Sequence, residues 1–356
     1  MILHRLSLRN FRTYERVDLT FEPKINLILG DNAAGKTNLA EAIQFISLAR
    51  SWRTNEGATL IRTGKEAAYI QAQLSEGELR RTVEIELCKE GKRITINGKP
   101  AKRLSELFQI ANVIVFAPDD VSLFQKSPAD RRTFLDVSLS KHSSDYFSLV
   151  SRYNKLLKER NALLKQINPD RSLLDILTEQ MIQTSEIIVR YRTMYITSLN
   201  AVLPKILEKL YGEKSTGSLV YRPFARDDGR FLERARKAYR DALESDLIHK
   251  STSVGVHRED FSFLLNGKNV ADYGSQGENR MAALALKLSP FYLIESEEKK
   301  PICVLDDVTS ELDAVHVSRL LSLLRDLGQT FVTATHLTID GATIIDVADH
   351  NATRRN

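Results

Sequence analysis

Cysteine is nearly absent. The chain has two in 356 residues, Cys88 and Cys303, each set among β-formers in VEIELCKE and PICVLDD. Neither has Cys or His neighbours at ligand spacing, which excludes a structural zinc site. Both read as core thiols of a chain kept in a reducing compartment. Long apolar runs are also missing. None approaches the roughly 20 residues that span a bilayer. The opening MILHRLSLRNFRTYERVDL alternates and carries charge early, unlike the continuous apolar core of a signal peptide. The expectation is a soluble cytoplasmic protein with no membrane partner. No internal repeat and no low-complexity tract occurs. Charge of one sign does not dominate: 51 basic residues face 46 acidic ones, a net +5, which permits nucleic-acid binding without demanding it.

What is present is a 42% hydrophobic chain long enough for two domains. Residues 2–9 and 15–21 alternate like strands, and INLILG (25–30) is a continuous apolar run of the kind found in buried parallel strands. Leu39, Ala42, Ile43 and Ile46 then recur at helical spacing. Residues 67–98 alternate at period two with Gly-containing turns, predicting antiparallel hairpins. A short helix (103–109) and an apolar strand (111–118) follow. Residues 129–166 and the segment after NPD (168–170) predict an antiparallel helical hairpin, too short for a long coiled-coil arm, with a further helix at 230–249. Strand character returns in FSFLLNGKNV, where Asn266-Gly267 signals a hairpin turn. Then come a helix (279–297), a strand (301–307), a helix (313–326) and the strand-like TFVTATH (330–336). The simplest packing joins both chain ends (1–118 and 251–356) in one α/β domain, with 67–98 as an antiparallel β subdomain and 119–250 as an inserted helical domain.

The densest motif is Gly30-Asp31-Asn32-Ala33-Ala34-Gly35-Lys36-Thr37, which fits G-x-x-x-x-G-K-[ST] between an apolar strand and a helix. Glycines let successive N–H groups turn inward, and the helix N-terminus completes an anion cradle. Lys36 is placed to reach the β- and γ-phosphates of ATP and Thr37 to ligate Mg²⁺. In ICVLDD, Asp306 ends a strand where a metal-holding carboxylate belongs. Asp307 follows as candidate base or water-positioning group. Without the phosphate loop, paired Asp after a strand would read as an Asx turn or a cap. His336 stands where a γ-phosphate sensor would be placed, although a lone His after a strand is usually a loop residue. Ser275 and Gly277 in YGSQGENR start a helix and form either a plain cap or a second anion site.

Together these residues resemble the ABC-type ATPases: phosphate loop, signature serine, acidic pair, D-loop SELD (310–313) and switch histidine, in that order. The fuller pattern is similar to the RecF family of bacterial recombination mediators, relatives of Rad50 and SMC heads. It rests on LSLRNFRTYERVDLTF, GDNAAGKTNLAEAI, SWRT, RRTFLD, LLKERNALLK, VGVHREDFSFLLNGK, SQGENRMAALALKLS and LDDVTSELD. The resemblance implies an ABC-ATPase fold, an ATP-dependent homodimer and binding to double-stranded and gapped DNA. It further implies recombinase loading with the partner mediators RecR and RecO, at the nucleoid. It also implies that Arg12 and Asn38 serve the nucleotide and that Asp119 or Asp120 supplies a metal contact. The DNA surface would include Arg131, Arg132, Arg152, Lys155, Lys158, Arg160 and Lys165, with Arg234, Arg236, Lys237 and Arg240, though each alone reads as ordinary surface charge. Asp307 is one carbon shorter than the Glu of many ABC ATPases, implying a weak ATPase. SQGE in place of LSGGQ argues against the alternative of a transporter subunit. A second alternative is an ATP-gated DNA scaffold whose hydrolysis is incidental.

Overall fold

The computed structural model describes residues 1–212, 215–309 and 312–355. The chain forms two compact units. One comprises Met1–Val121, Lys205–Ser215 and Ala283–Asn356, and the other Ser122–Pro204 and Thr216–Ala282. The expected boundary at 250/251 is thus displaced: residues 251–282, including Ser275 and Gly277, group with the helical unit.

The first unit holds two six-stranded sheets. The antiparallel sheet runs β2 (Tyr14–Thr20), β1 (Ile2–Phe11), β4 (Ala67–Glu76), β5 (Leu79–Cys88), β6 (Gly91–Ile96) and β7 (Lys99–Pro100). Along β4 buried and exposed residues alternate, the one-faced pattern read from the sequence. The second sheet runs β15 (Asn351–Arg354), β14 (Thr343–Ala348), β3 (Ile25–Leu29), β13 (Thr330–Ala334), β12 (Ile302–Leu305) and β8 (Val113–Phe116). All its pairings are parallel except that of β14 with β15. β12 and β13 are buried at every position. Such strands carry no alternation because both faces are covered.

Helix α1 (Lys36–Leu48) contacts β1 and β4 of one sheet and β8, β12 and β13 of the other. It is therefore buried nearly all round, polar Glu41 and Gln44 included. Phe21 and Phe331 meet edge to face at 4.9 Å in the same core. Helix α2 (Ser105–Ile110) also packs on α1. Cys303 is fully buried, but Cys88, expected in the core, is only half-buried because it is the last residue of β5.

The second unit contains α3 (Pro128–His142), α4 (Ser144–Leu164), most of α5 (Arg171–Tyr211), α6 (Phe231–His249), α7 (Val270–Tyr273) and the start of α8 (Gln276–Tyr292). Ser143 splits the helix expected over 129–166. Its extended backbone (φ −142°) lets its hydroxyl accept the N–H of Tyr146 and cap α4. A three-stranded sheet, β11 (Lys268–Asn269), β10 (Asp260–Leu265) and β9 (Gly217–Arg222), completes the unit. The Asn266-Gly267 turn joins β10 to β11 with both residues at positive φ, as its sequence requires. The remaining helix, α9 (Ala314–Arg325), belongs to the first unit. Among the described residues no helix is long and apolar enough to cross a membrane.

Candidate nucleotide site

Strands β3, β13 and β12 are parallel neighbours, so their C-terminal ends share one edge of the sheet. That edge is where ligands sit in open α/β sheets. Gly30, Asp306 and His336 all follow it directly: Gly30 after β3, Asp306 after β12 and His336 two residues beyond β13.

The loop Gly30–Gly35 links β3 to α1. A Cβ on Gly30 would lie 2.1 Å from the Val347 carbonyl oxygen, which is backbone and cannot yield. Gly35 has φ +122°, closed to side-chain-bearing residues, and its carbonyl accepts the Tyr14 hydroxyl at 2.9 Å. Tyr14 is fully buried, and burial raises its pKa well above the ordinary phenol value. Ala33 is also in the left-handed region. Asp31, Asn32 and Ala33 are exposed and Ala34 half-buried, so the loop opens to solvent. Lys36 is buried and donates from Nζ to the Gly30 and Asp31 carbonyls, at 2.7 and 2.8 Å. Burial lowers its pKa, opposed by Asp307, Asp306 and Asp31.

Thr37 donates to Asp306 Oδ1 at 3.2 Å, and Thr333 on β13 donates to the same oxygen at 2.7 Å. Asp306 is 1% exposed, and its Oδ2 is buried with no hydrogen-bond partner among the described residues. Burial raises its pKa, and Asp307 adds to that rise, while Thr333, Thr37 and Arg53 work against it. A buried carboxylate with one orphaned oxygen beside a threonine hydroxyl fits a cation. Among the described residues no group of three His, Cys, Asp or Glu could hold a metal. An ion at Thr37 and Asp306 would take its other ligands from phosphate and water, the habit of Mg²⁺ at nucleotide sites. Asp307 is half-exposed with φ +49°, and its N–H donates to Thr333 Oγ1 at 2.9 Å. It diverges from Asp306 through this left-handed turn, not through strand alternation, because β12 ends at Leu305. His336 is exposed.

Arg12 and Asn38 are already engaged. Arg12 forms a two-bond fork with Glu41, both bonds 2.8 Å, and donates to the Thr59 carbonyl at 3.0 Å. Glu41 is fully buried and also accepts from Ser51 and, at 3.5 Å, from Arg53. Asn38 accepts from Arg53 at 2.8 Å and donates to Thr13 at 3.0 Å. Sequence reasoning assigned no role to Glu41, Arg53, Tyr14 or Thr333. Glu41 had a signal, a charge amid the apolar positions of α1. Thr333 had none, being one more β-former in a strand. Of the acidic residues after β8, Asp120 accepts the Ala117 N–H at 2.9 Å and pairs with Lys287 at 2.8 Å, while Asp119 is exposed.

In the second unit, Ser275 caps α8 and is exposed. It accepts the Glu278 N–H at 3.2 Å, and Glu278 returns a bond to the Ser275 N–H at 2.8 Å. This is a complete capping box. Gly277 lies in the first turn with open space where a Cβ would stand. Of the D-loop, Ser310 and Glu311 lie outside the described residues. Asp313 caps α9, accepting from the N–H groups of Val315 and His316, both at 2.9 Å.

Two members of the expected DNA surface are corrected. Arg131 is buried, forks onto Asp260 at 2.7 and 2.8 Å and donates to the Leu123, Phe124 and Lys126 carbonyls. Arg160 is 1% exposed, pairs with Asp246 at 2.8 Å, bonds Thr178 and Thr252, and lies over the Tyr239 ring. Neither can present its guanidinium to a phosphate. Arg132 is half-buried. Arg152, Lys155, Lys158 and Lys165 are exposed on and just after α4, Lys155 lying 3.9 Å from Glu159. Arg234, Arg236 and Lys237 are exposed but paired with Asp228, Glu179 and Asp241, and Arg240 is exposed.

Residues 2–350 match the family described as the RecF/RecN/SMC N terminal domain. The DNA replication and repair protein RecF of Lachnoclostridium phytofermentans is 38% identical over 342 residues, 95% of this chain and 93% of that protein. The RecF of Clostridium tetani is 37% identical over 94% of this chain and 93% of its own length. Among solved structures, the recombination mediator protein RecF-ATP of the RecFOR pathway superposes with a TM-score of 0.91 at 32% identity, covering 99% of this chain and 97% of that one. An SMC head bound to the C-terminal winged-helix domain of ScpA superposes with a TM-score of 0.60 at 16% identity, a likeness of fold alone. The chain belongs to the RecF/RecN/SMC N-terminal-domain family and, within it, to RecF.

Proposed function

We propose that the chain is an ATP-dependent DNA-binding protein of recombinational repair and a weak ATPase, in which ATP held on the phosphate loop joins two copies. The observation that carries this reading is Asp306, with Oδ1 held by Thr37 and Thr333 and Oδ2 buried and unpartnered. A folded chain gains nothing from such a group unless a cation completes it. Thr37 and Asp306 would hold Mg²⁺, which would supply neutralisation of the phosphate charge. Lys36 exchanges its two carbonyl partners for phosphate oxygens. Asp307 orients the attacking water, His336 senses the γ-phosphate, and Asp119 or Asp120, just after β8, would supply the further metal contact.

The second copy closes the site with Ser275 and Gly277. Gly277 supports this role, because a glycine in a helix costs about 1 kcal/mol relative to alanine and its own chain has room for a Cβ. The vacant position suits close approach by a phosphate. ATP that binds the dimer better than the monomer shifts association by that difference, and the product is a C₂ dimer. The exposed cations of α4 track DNA phosphates, so binding is salt-sensitive and indifferent to sequence. The RecF-ATP structure of the RecFOR pathway supports the further step, delivery of recombinase to gapped DNA with RecO and RecR. Sedimentation with and without ATP tests the core of this reading. Wild type should dimerise with ATP, and Lys36→Ala and Ser275→Asp should stay monomeric. Aspartate keeps the helix cap while setting a like charge against the γ-phosphate, so normal pairing by Ser275→Asp contradicts closure in trans.

A further inference from the structure

Two sequence stretches used by neither the nucleotide site nor the exposed cations of α4, RRTFLD (131–136) and VGVHRED (254–260), meet at a cavity of about 230 Å³ in the second unit. Its walls come from α3, α4, α5 and the Val256–His257 segment. Arg132 lines it and makes one hydrogen bond, to the Glu259 carbonyl at 2.7 Å, with no ion pair among the described residues. The nearby carboxylates are committed elsewhere. Arg192 takes Asp136 at 2.8 Å and Glu259 at 2.7 Å, and Arg131 takes Asp260. Arg132 and the exposed Arg258 are left over as cations. Burial and then the neighbouring Arg192 lower the Arg132 pKa, opposed by Asp260 and Asp136, with Arg258 adding to the fall. His257 cannot serve as counter-ion. Its Nδ1 accepts the Tyr153 hydroxyl at 2.7 Å and its Nε2 donates to the Thr252 carbonyl at 3.0 Å, the pattern of a neutral ring.

We propose that this cavity seats a phosphate monoester, with Arg132 as the anchoring donor. A half-buried guanidinium with four of its five N–H groups unused lacks an anion, and its planar fork matches a phosphate. The volume exceeds that of a lone carboxylate and suits a phosphate with part of its attached sugar. A lining drawn from four elements suits a terminal group better than a diester, which must leave room for chain on both sides. Asn154, exposed at the cavity, adds an amide donor. The phosphate comes either from a free small molecule or from the phosphorylated end of a nucleic acid. The site does not depend on the phosphate loop.

The test uses the full chain and inorganic phosphate. Phosphate should raise the melting temperature, relative to chloride at equal ionic strength, in wild type and in Lys36→Ala. It should do so in neither Arg132→Gln nor Asn154→Asp when each is combined with Lys36→Ala, which keeps the phosphate loop from answering for the cavity. The second variant is exposed, leaves the Arg132 contact intact, removes the amide donor and adds negative charge to the cavity. A shift that survives in both cavity variants, or acetate acting as well as phosphate, overturns the proposal. A short duplex with 5′-phosphates should then bind about tenfold more tightly than its 5′-hydroxyl twin, with the difference lost in Asn154→Asp. That outcome assigns the phosphate to a nucleic-acid end, and equal binding of the two duplexes with the thermal result intact assigns it to a free phosphate.

Discussion

At Asp306 one carboxylate oxygen is held by Thr37 and Thr333 while the other is buried without a partner. Desolvation of the charged form works against folding, so the proposed metal-binding role comes at the expense of stability. Asp306→Asn should therefore melt no lower than wild type while ATP turnover falls by about 100-fold or more. A loss of both stability and turnover would assign the aspartate a structural role. Arg160 is the opposite case. Sequence placed it with Lys155 and Lys158 as surface charge, because LLKERNALLK looks alike at every cation. Its partner Asp246 is 86 residues away, beyond the reach of local pattern. Removing one member of a buried ion pair leaves the other uncompensated, at about 3–5 kcal/mol. Urea titration should show that loss for Arg160→Ala, and a change within about 0.5 kcal/mol for exposed Lys158→Ala. The same contrast explains why the phosphate loop was legible and Arg131 was not. The loop is eight contiguous residues with a fixed chemistry, whereas the partners of Arg131 include Asp260, 129 positions on.

Elements whose period matched their burial were readable. The alternation of β4 and the continuous apolar runs of β3 and β12 became an antiparallel and a parallel sheet as expected. β9, β14 and β15 went unread, since strands of four to six residues carry little periodic signal. Helix α1 was recognised, but Glu41 within it was not. Its burial follows from lying between two sheets, where even the polar stripe of a helix is covered and finds Arg12 and Ser51. At α8 the capping box gives Ser275 a structural duty beside its proposed contact with ATP. Ser275→Ala should lower stability by about 1 kcal/mol in the absence of nucleotide, and Ser275→Asp by much less. Thermal melts of the two variants separate the cap from the contact. Equal losses would show that the hydroxyl has a role in the monomer beyond capping.

Across the whole molecule, domain membership was the least legible property, because it is set by contacts distant in sequence and not by local pattern. Residues 251–282 join the helical unit through β10, which pairs with β9, and through the Arg131–Asp260 and Arg192–Glu259 bridges. The half-buried His257 in this segment makes stability depend on pH. Burial lowers its pKa from 6.5 to about 4. The unfolded chain therefore takes up a proton first as pH falls, and the contribution present above pH 6.5 is lost progressively towards pH 4. Unfolding free energies measured across that window should fall less steeply for His257→Gln than for wild type. An identical slope would exclude the ring as the titrating group. The central claim concerns two copies: one chain grips ATP by its lysine loop, the other by its serine turn. Mixing Lys36→Ala with Ser275→Asp tests it most directly. Each variant alone should be inactive. Neither variant pairs with itself and a heterodimer contains one intact composite site of two, so an equal mixture should recover up to about half of wild-type turnover if the site is shared across a C₂ interface. Failure of the mixture to recover any ATP turnover, at any ratio that forms dimers, would contradict the account.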